Sequence, residues 1–202
     1  MALQRPFLLA TLLAIACGKE SQRQAPAGPA PDTFRVAVHT SKGRFVIEGI
    51  RAWAPNGADR FYALARDGFY DGNRFFRVLP GYVAQWGISG DREANQRWEK
   101  RLLPDDSVRQ RNVRGTIVFT SSGPNTRAHQ VFVNLKDSPR LDEDGFAPFG
   151  RVVEGMAVLD SLYDDYGDIP KQNMIRTFGN DYLRREFPRL DWIDSARVVP
   201  RP

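Results

Sequence analysis

The chain has 202 residues, of which 42% are hydrophobic and 26% are charged, a composition typical of a folded globular domain and unlike that of disordered or coiled-coil proteins. Its formal net charge of +5 comes from 29 basic and 24 acidic residues, and the basic residues are scattered along the chain. Because a nucleic-acid interface needs basic residues clustered on one face, this distribution argues against nucleic acid as a partner.

The first 17 residues have the pattern of a bacterial targeting segment. Arg5 precedes an apolar run over residues 7–16, which is too short to span a membrane and typical of a signal peptide. The sequence "LAIAC" resembles the lipobox of bacterial lipoproteins, whose cysteine carries the lipid, although the residues before Cys17 also fit an ordinary signal-peptidase site. We expect residues 1–17 to be a lipoprotein signal and Cys17 to be lipidated.

This signal predicts where the protein works. A lipid on Cys17 would anchor it to a membrane of the bacterial cell envelope, with the folded domain outside the cytoplasm and facing the periplasm in a Gram-negative cell. Residues 18–32 are rich in proline, alanine and glutamine and lack hydrophobic periodicity. They are therefore predicted to be a flexible tether.

Secondary structure is predicted from Thr33 onward. Alternating apolar and polar residues over 33–50 indicate a β-hairpin, and residues 54–67 form an amphipathic pattern that ends at Gly68, which indicates a helix. Residues 87–112 are polar and are predicted to be a long surface loop, and a second helix is predicted from residue 154. Further strands are predicted over residues 73–79, 114–122, 129–135, 148–153 and 191–200.

About eight strands with two helices favour a mainly β fold. We predict a closed eight-stranded antiparallel barrel capped by two α-helices, because closure removes exposed sheet edges and the first and last strands can pair. The domain would cover residues 33–202, with residues 163–190 inserted before the last strand as a segment that holds short helical pieces.

Most familiar catalytic patterns are missing from the sequence. The two histidines have no cysteine or glutamate at metal-ligand spacing, no Gly-x-Ser-x-Gly elbow occurs, and the chain's one cysteine belongs to the signal. We therefore expect no metal, no cofactor and no covalent nucleophile. The acidic pairs Asp105–Asp106 and Asp164–Asp165 lie in polar segments and are predicted to be solvated.

Arg77 is the charge that the local pattern leaves unexplained. It lies in the apolar stretch "FFRVL", where an ionised side chain is either exposed or has a task. On the later strand, Gln130 and Phe132 share one face by the two-residue period of a strand, while the intervening valines face the core. The predicted bend at Pro80–Gly81 leaves open whether Gln85 lies on the same side as Arg77.

Three segments in collinear order resemble the cyclophilin family of peptidyl-prolyl cis-trans isomerases. They are "GFYDGNRFFRVLPGYVAQWG" at 68–87, "SSGPNTRAHQVFVNL" at 121–135 and "LDEDGFAPFGRVVEGMAVLD" at 141–160. The resemblance runs from about Thr33 to Leu162 and implies a cyclophilin-like barrel that catalyses rotation about X-Pro bonds, most simply as a monomer. Its implied partners are proline-containing segments of exported proteins.

The resemblance also implies which residues form the site. Its catalytic positions fall on Arg77, Gln85 and Phe132. Its substrate-binding positions fall on Tyr82, Val83, Ser121, Gln130, Leu141 and Phe146. The alternative function is a non-catalytic module or chaperone that binds proline-containing segments.

Two departures from the family pattern are adjacent in sequence to the nominated residues Arg77 and Gln85. Phe76 stands where the family usually has histidine, and Trp86 stands where it usually has glycine. We expect Trp86, a bulky residue at a normally small position, to mark what distinguishes this chain from its relatives.

Overall fold

The computed structural model describes residues 28–200, so the predicted signal, Cys17 and most of the predicted tether lie outside the described residues. Among residues 28–32, Ala30 is buried and its N–H donates to the Asp59 carboxylate at 2.9 Å, while the Asp32 carbonyl accepts from the Arg51 N–H at 2.8 Å. The residues just before the first strand therefore pack against the domain.

Eight strands form one antiparallel sheet in the order β3-β4-β6-β5-β7-β2-β1-β8. The strands are β1 (Thr33–Thr40), β2 (Gly43–Ile50), β3 (Arg77–Leu79), β4 (Val83–Trp86), β5 (Thr116–Phe119), β6 (Val131–Asn134), β7 (Gly150–Glu154) and β8 (Ile193–Val199). The predicted hairpin is confirmed, with Thr33 opposite Ile50 and Thr40 opposite Gly43. The predicted pairing of the first and last strands is also confirmed, since β1 pairs with β8.

The sheet is a curled half-barrel, and the prediction of a closed barrel is wrong. No ladder joins the edge strands β3 and β8 within residues 28–200; the segment before β3 meets the start of β8 through a bridge between Arg74 and Trp192 and three flanking backbone hydrogen bonds of 2.8–3.0 Å. The physical reason lies at the outer edge of β3. There the Val78 N–H donates to the Gly167 carbonyl at 3.2 Å, so the segment inserted before β8 takes the hydrogen bond that closure would need.

The described residues hold five helices rather than the two predicted. They are α1 (Pro55–Arg66), α2 (Arg92–Glu99), α3 (Pro139–Glu143), α4 (Met156–Asp160) and α5 (Gln172–Glu186). Helix α2 lies inside the segment predicted as a loop, and Asp91 caps it by accepting from the N–H groups of Glu93 and Ala94. Helix α5 lies in the predicted 163–190 insertion and is interrupted at Gly179.

The first helix is capped by a distant carboxylate. The N–H groups of Asn56 and Gly57 donate to Asp106 at 3.0 and 2.9 Å, and Arg127 Nη1 donates to the same carboxylate at 3.1 Å. With its side chain only 3% exposed, Asp106 is not solvated as predicted. It satisfies N–H groups that the helix itself leaves without partners.

Trp86 is part of the main core and is 1% exposed. Its ring makes edge contacts with Phe45, Tyr70 and Phe75 at centroid distances of 6.2, 6.3 and 5.4 Å. Trp86, which stands where the family usually has glycine, therefore fills part of the core. Phe76 instead joins a second cluster, with Ile88 and apolar residues of α5.

Across residues 28–200 we find no helix with the length and apolar character needed to span a membrane.

Candidate active site

Four neighbouring strands place a row of side chains on one face of the sheet. Arg77 on β3 is directly opposite Gln85 on β4, Gln85 is opposite Phe132 on β6, and Phe132 is opposite Val118 on β5. Side chains of directly opposed residues in an antiparallel sheet lie on the same face. The pairing therefore answers the question that the sequence left open, because it puts Gln85 on the side of Arg77.

The turn between β3 and β4 fixes this register. Gly81 adopts φ 61°, a conformation that glycine reaches without steric cost. The Tyr82 N–H donates to the Leu79 carbonyl at 2.9 Å. Pro80 and Gly81 thus fold the chain back as a hairpin, and the Arg77–Gln85 pair follows from its length.

A cleft of about 320 Å³ lies over this row. It is lined by Arg77, Tyr82, Val83, Gln85, Thr120, Ser121, Ser122, Gln130, Phe132, Leu141, Phe146, Gln172 and Arg176. All nine residues that the sequence nominated for catalysis and substrate binding are in this set. The structure brings them together, while their roles stay predictions.

Sequence reasoning missed four lining residues. Thr120 and Ser122 flank the nominated Ser121, whereas Gln172 and Arg176 come from α5, which follows the three motifs that resemble the family. Residues four apart on a helix share a face, so their spacing could have paired these two polar residues. Nothing in the sequence, however, places that helix against the cleft.

One side of the cleft is apolar. Val83, Val118, Phe132 and Leu141 form a buried cluster that Leu79, Tyr82 and Phe146 pack against. The rings of Phe132 and Phe146 meet edge to face at 5.9 Å. Such a surface suits a small apolar ring, because burial removes apolar area from water on both partners.

The other side is a chain of hydrogen bonds, which we call the amide relay and define as Arg77, Gln85, Gln130 and Gln172. Arg77 Nη1 donates to Gln85 Oε1 at 3.3 Å, Gln85 Nε2 donates to Gln130 Oε1 at 3.0 Å, and Gln130 Nε2 donates to Gln172 Oε1 at 3.2 Å. Gln85 and Gln130 are only 5% and 9% exposed. The relay therefore holds the Arg77 guanidinium through Gln85, while Arg77 also lines the cleft.

A second charged group borders the cleft. Arg176 Nε donates to Glu99 Oε1 at 2.5 Å, and both residues also line an adjoining cavity of about 240 Å³ together with His129. His129 is buried and its Nδ1 donates to the Gly87 carbonyl. Burial lowers the pKa of His129, against the opposing effects of the Gly87 carbonyl and Glu99, which favours the neutral imidazole.

Within residues 28–200, no group of three or more histidine, cysteine, aspartate or glutamate side chains is placed to hold a metal ion. The cleft offers guanidinium donors, neutral amides, hydroxyl groups and an apolar surface.

A half-barrel with an arginine and a glutamine beside an apolar cleft defines the class of protein to which the comparisons point. The family described as cyclophilin type peptidyl-prolyl cis-trans isomerase/CLD matches residues 35–178. The chain belongs to this family, which is a family of isomerases.

Individual relatives agree with that assignment. The chain is 32% identical over 130 residues to peptidyl-prolyl cis-trans isomerase-like 3 from Homo sapiens, covering 63% of this chain and 80% of the relative. It is 31% identical over 152 residues to a peptidyl-prolyl cis-trans isomerase from Acinetobacter baylyi, covering 68% and 79%. A crystal structure of a Cryptosporidium parvum cyclophilin type isomerase matches the fold with a TM-score of 0.64 at 20% identity, covering 84% of this chain and 99% of that one.

Proposed function

We propose that the protein accelerates rotation about X-Pro peptide bonds, with Arg77 stabilising the twisted amide. The observation that carries this proposal is the placement of the Arg77 guanidinium, through Gln85, in the same cleft as the apolar residues Val83, Phe132 and Leu141. Together they can bind a proline ring and reach the amide bond next to it.

The reaction needs only these groups. Resonance holds the amide planar with a barrier of about 18–20 kcal/mol, and spontaneous X-Pro rotation takes about 10–100 s. No covalent bond breaks, so the catalyst must bind the twisted amide more tightly than either planar form. The twist frees the lone pair on the proline nitrogen, which can then accept a hydrogen bond.

Arg77 suits this task because a guanidinium carries five N–H donors and stays charged. It can donate to the proline nitrogen and to the neighbouring carbonyl when the amide twists. Phe132, Val83 and Leu141 would bind the proline ring, with Tyr82 and Phe146 at its edges. Ser121 and Gln130 would contact the main chain of the substrate.

The proposal is tested by following cis-to-trans conversion of a short Ala-Pro peptide with and without the full chain. We expect the rate to rise in proportion to protein concentration. The alternative function, a cyclophilin-like module that binds proline-containing segments without turnover, predicts binding of the same peptide at the spontaneous rate. Saturable binding without acceleration would therefore contradict the proposed isomerase activity and support the binding module.

We further propose that the protein is an envelope lipoprotein that works as a monomer on exported proteins. The support is the sequence around Cys17, which resembles a lipobox, and the proline-rich segment that follows it. Metabolic labelling with a fatty acid in a bacterial host should mark the parent and not a Cys17→Ser variant, and only the parent should sediment with membranes. Labelling that persists in the variant would exclude Cys17 as the lipid site.

A further inference from the structure

We infer that Gln172, the first residue of α5, is a positioning residue that fixes the orientation of the two amides holding Arg77. The inference rests on the proposed function, because its consequence is a change in the rate of X-Pro rotation. It assigns a task to the helix inserted before the last strand, which follows the three motifs that resemble the family.

Helix α5 is held in place beside the cleft by buried residues. Ile175 and Leu183 are fully buried in a cluster with Phe76 and Ile88, two residues close to the ends of β3 and β4. The residue before the helix is held too, since the Lys171 N–H donates to the Tyr182 hydroxyl at 3.3 Å. Gln172 is therefore presented to the cleft from an anchored helix end.

The amide relay has a direction. A guanidinium has donors only, so Gln85 must turn its oxygen to Arg77 and its NH₂ group away. Gln85 Nε2 then requires an acceptor, which Gln130 Oε1 supplies, and Gln130 Nε2 requires one in turn, which Gln172 Oε1 supplies. Gln172 is thus the terminal acceptor for a run of donors that starts at the arginine.

The direction of the relay depends on that acceptor. A buried amide N–H left without a partner is costly, so Gln130 would rotate to find another acceptor. The rotated amide would turn its NH₂ group toward the NH₂ group of Gln85. Gln85 would then present its own NH₂ to the guanidinium, and Arg77 would lose the contact that holds it.

Three variants of the full chain separate this role from a general effect on the helix. Gln172→Met keeps the length of the side chain and removes the acceptor, whereas Gln172→Glu keeps an acceptor. Asn173→Leu is the matched control, because Asn173 is the next residue of α5 and its side chain is exposed. Thermal unfolding of each variant checks that the fold is intact.

We expect Gln172→Met to lower kcat for an Ala-Pro peptide by about 3- to 10-fold, the range of one lost hydrogen bond, with KM nearly unchanged. Gln172→Glu and Asn173→Leu should keep the parent kcat within about twofold. Equal losses in the methionine and glutamate variants, or none in either, would overturn the inference.

A double-mutant cycle with Gln130→Met tests the relay itself. If Gln172 acts through Gln130, adding Gln172→Met to the Gln130→Met variant should leave kcat unchanged. A full additional loss would mean that Gln172 acts by another route, and the inference would be wrong.

A spectroscopic readout keeps this test independent of the proposed function. In two-dimensional NMR spectra, Gln172→Met should shift or broaden the side-chain signals of Arg77 and Gln85, and Gln172→Glu should leave a single sharp set. An inactive parent with these NMR changes would contradict the proposed function alone. Arg77 and Gln85 signals that do not respond to Gln172→Met would contradict the inference alone.

Discussion

Two arginines differ in how many of their hydrogen-bond donors the protein itself already uses. Arg127 is 5% exposed and its donors are taken by Asp105, Asp106 and the Pro104 carbonyl. Within residues 28–200, the Arg77 side chain makes one hydrogen bond, to Gln85. Most of its five donors are therefore available to a substrate, which supports the proposed role of Arg77.

His129 gives a prediction on pH. Burial lowers the pKa of His129 below its ordinary value of 6.5. Between this lowered pKa and pH 6.5, the unfolded chain therefore binds more protons than the folded one. The stability that the neutral histidine contributes is complete above pH 6.5 and declines as the pH falls through 6.5 toward the lowered value. Glu99 and Arg176 are the charged groups that face it.

Urea unfolding of the parent and of His129→Asn at pH 7.5 and 5.5 measures this effect. We expect the parent to lose more free energy of unfolding than the variant between the two pH values, because asparagine does not titrate. The same loss in both proteins would show that His129 contributes nothing to the pH dependence.

Among the elements, α5 depends on one glycine. Gly179 adopts φ 59° and ψ −147° inside the helix, and a Cβ there would lie 2.5 Å from the Gly90 carbonyl oxygen. Both the backbone conformation and the contact exclude other residues. The interruption therefore lets the two parts of α5 pack closely against the segment before α2.

We expect Gly179→Ala to lower the free energy of unfolding by about 2 kcal/mol or more. The matched control is Gly81→Ala, because Gly81 has a similar φ of 61° and a Cβ there would meet no described atom within 4 Å. Its cost should be only that of the left-handed conformation, about 1–2 kcal/mol. If urea titrations gave the same loss of free energy of unfolding for Gly179→Ala and Gly81→Ala, the close approach of Gly179 to Gly90 would contribute nothing.

The sequence predicted the elements that carry a regular pattern and missed those that do not. Strand alternation and the glycine stop after residue 67 were enough for the first hairpin and α1. The polar pattern of residues 87–112 predicts a loop and misses α2, because this helix has only eight residues and only Ala94, Asn95 and Trp98 are buried. The Asp91 cap was its one readable signal.

The residues of the candidate site likewise divide into those that the sequence could predict and those that it could not. The resemblance nominated nine residues that do line one cleft, because the three motifs that carry it supply β3, β4, β6 and α3. Gln172 could not be nominated, since its contact with Gln130 joins residues 42 positions apart and depends on how α5 packs. That packing is decided by tertiary contacts of Phe76 and Ile88, which the local sequence does not reveal.

For the whole molecule, the two ends of the domain are held together beside the open edge of the sheet. Asp191, just before β8, is 6% exposed and accepts from the Ser41 hydroxyl and from the Tyr163 N–H, both at 2.7 Å. It thus links the turn of the first hairpin to the start of the segment inserted before β8. Its removal should weaken the fold as a whole.

We expect Asp191→Ala to lower the free energy of unfolding by about 2–6 kcal/mol, since two donors lose their acceptor at about 1–3 kcal/mol each. Asp194→Ala is the control, because Asp194 is exposed and accepts only from Trp192 Nε1 among the described residues; its change should stay within about 0.5 kcal/mol. A loss at Asp191 no larger than at Asp194 would refute this role.

The proposed catalysis depends on the Arg77 guanidinium. The most direct measurement is NMR exchange spectroscopy of an Ala-Pro peptide at equilibrium, with the parent, Arg77→Lys and Arg77→Ala at equal concentrations. We predict that Arg77→Ala lowers the catalysed exchange rate by about 100-fold or more, with Arg77→Lys between it and the parent because lysine keeps the charge but not the planar donor group. An Arg77→Ala protein that is folded and exchanges the peptide as fast as the parent would contradict the mechanism.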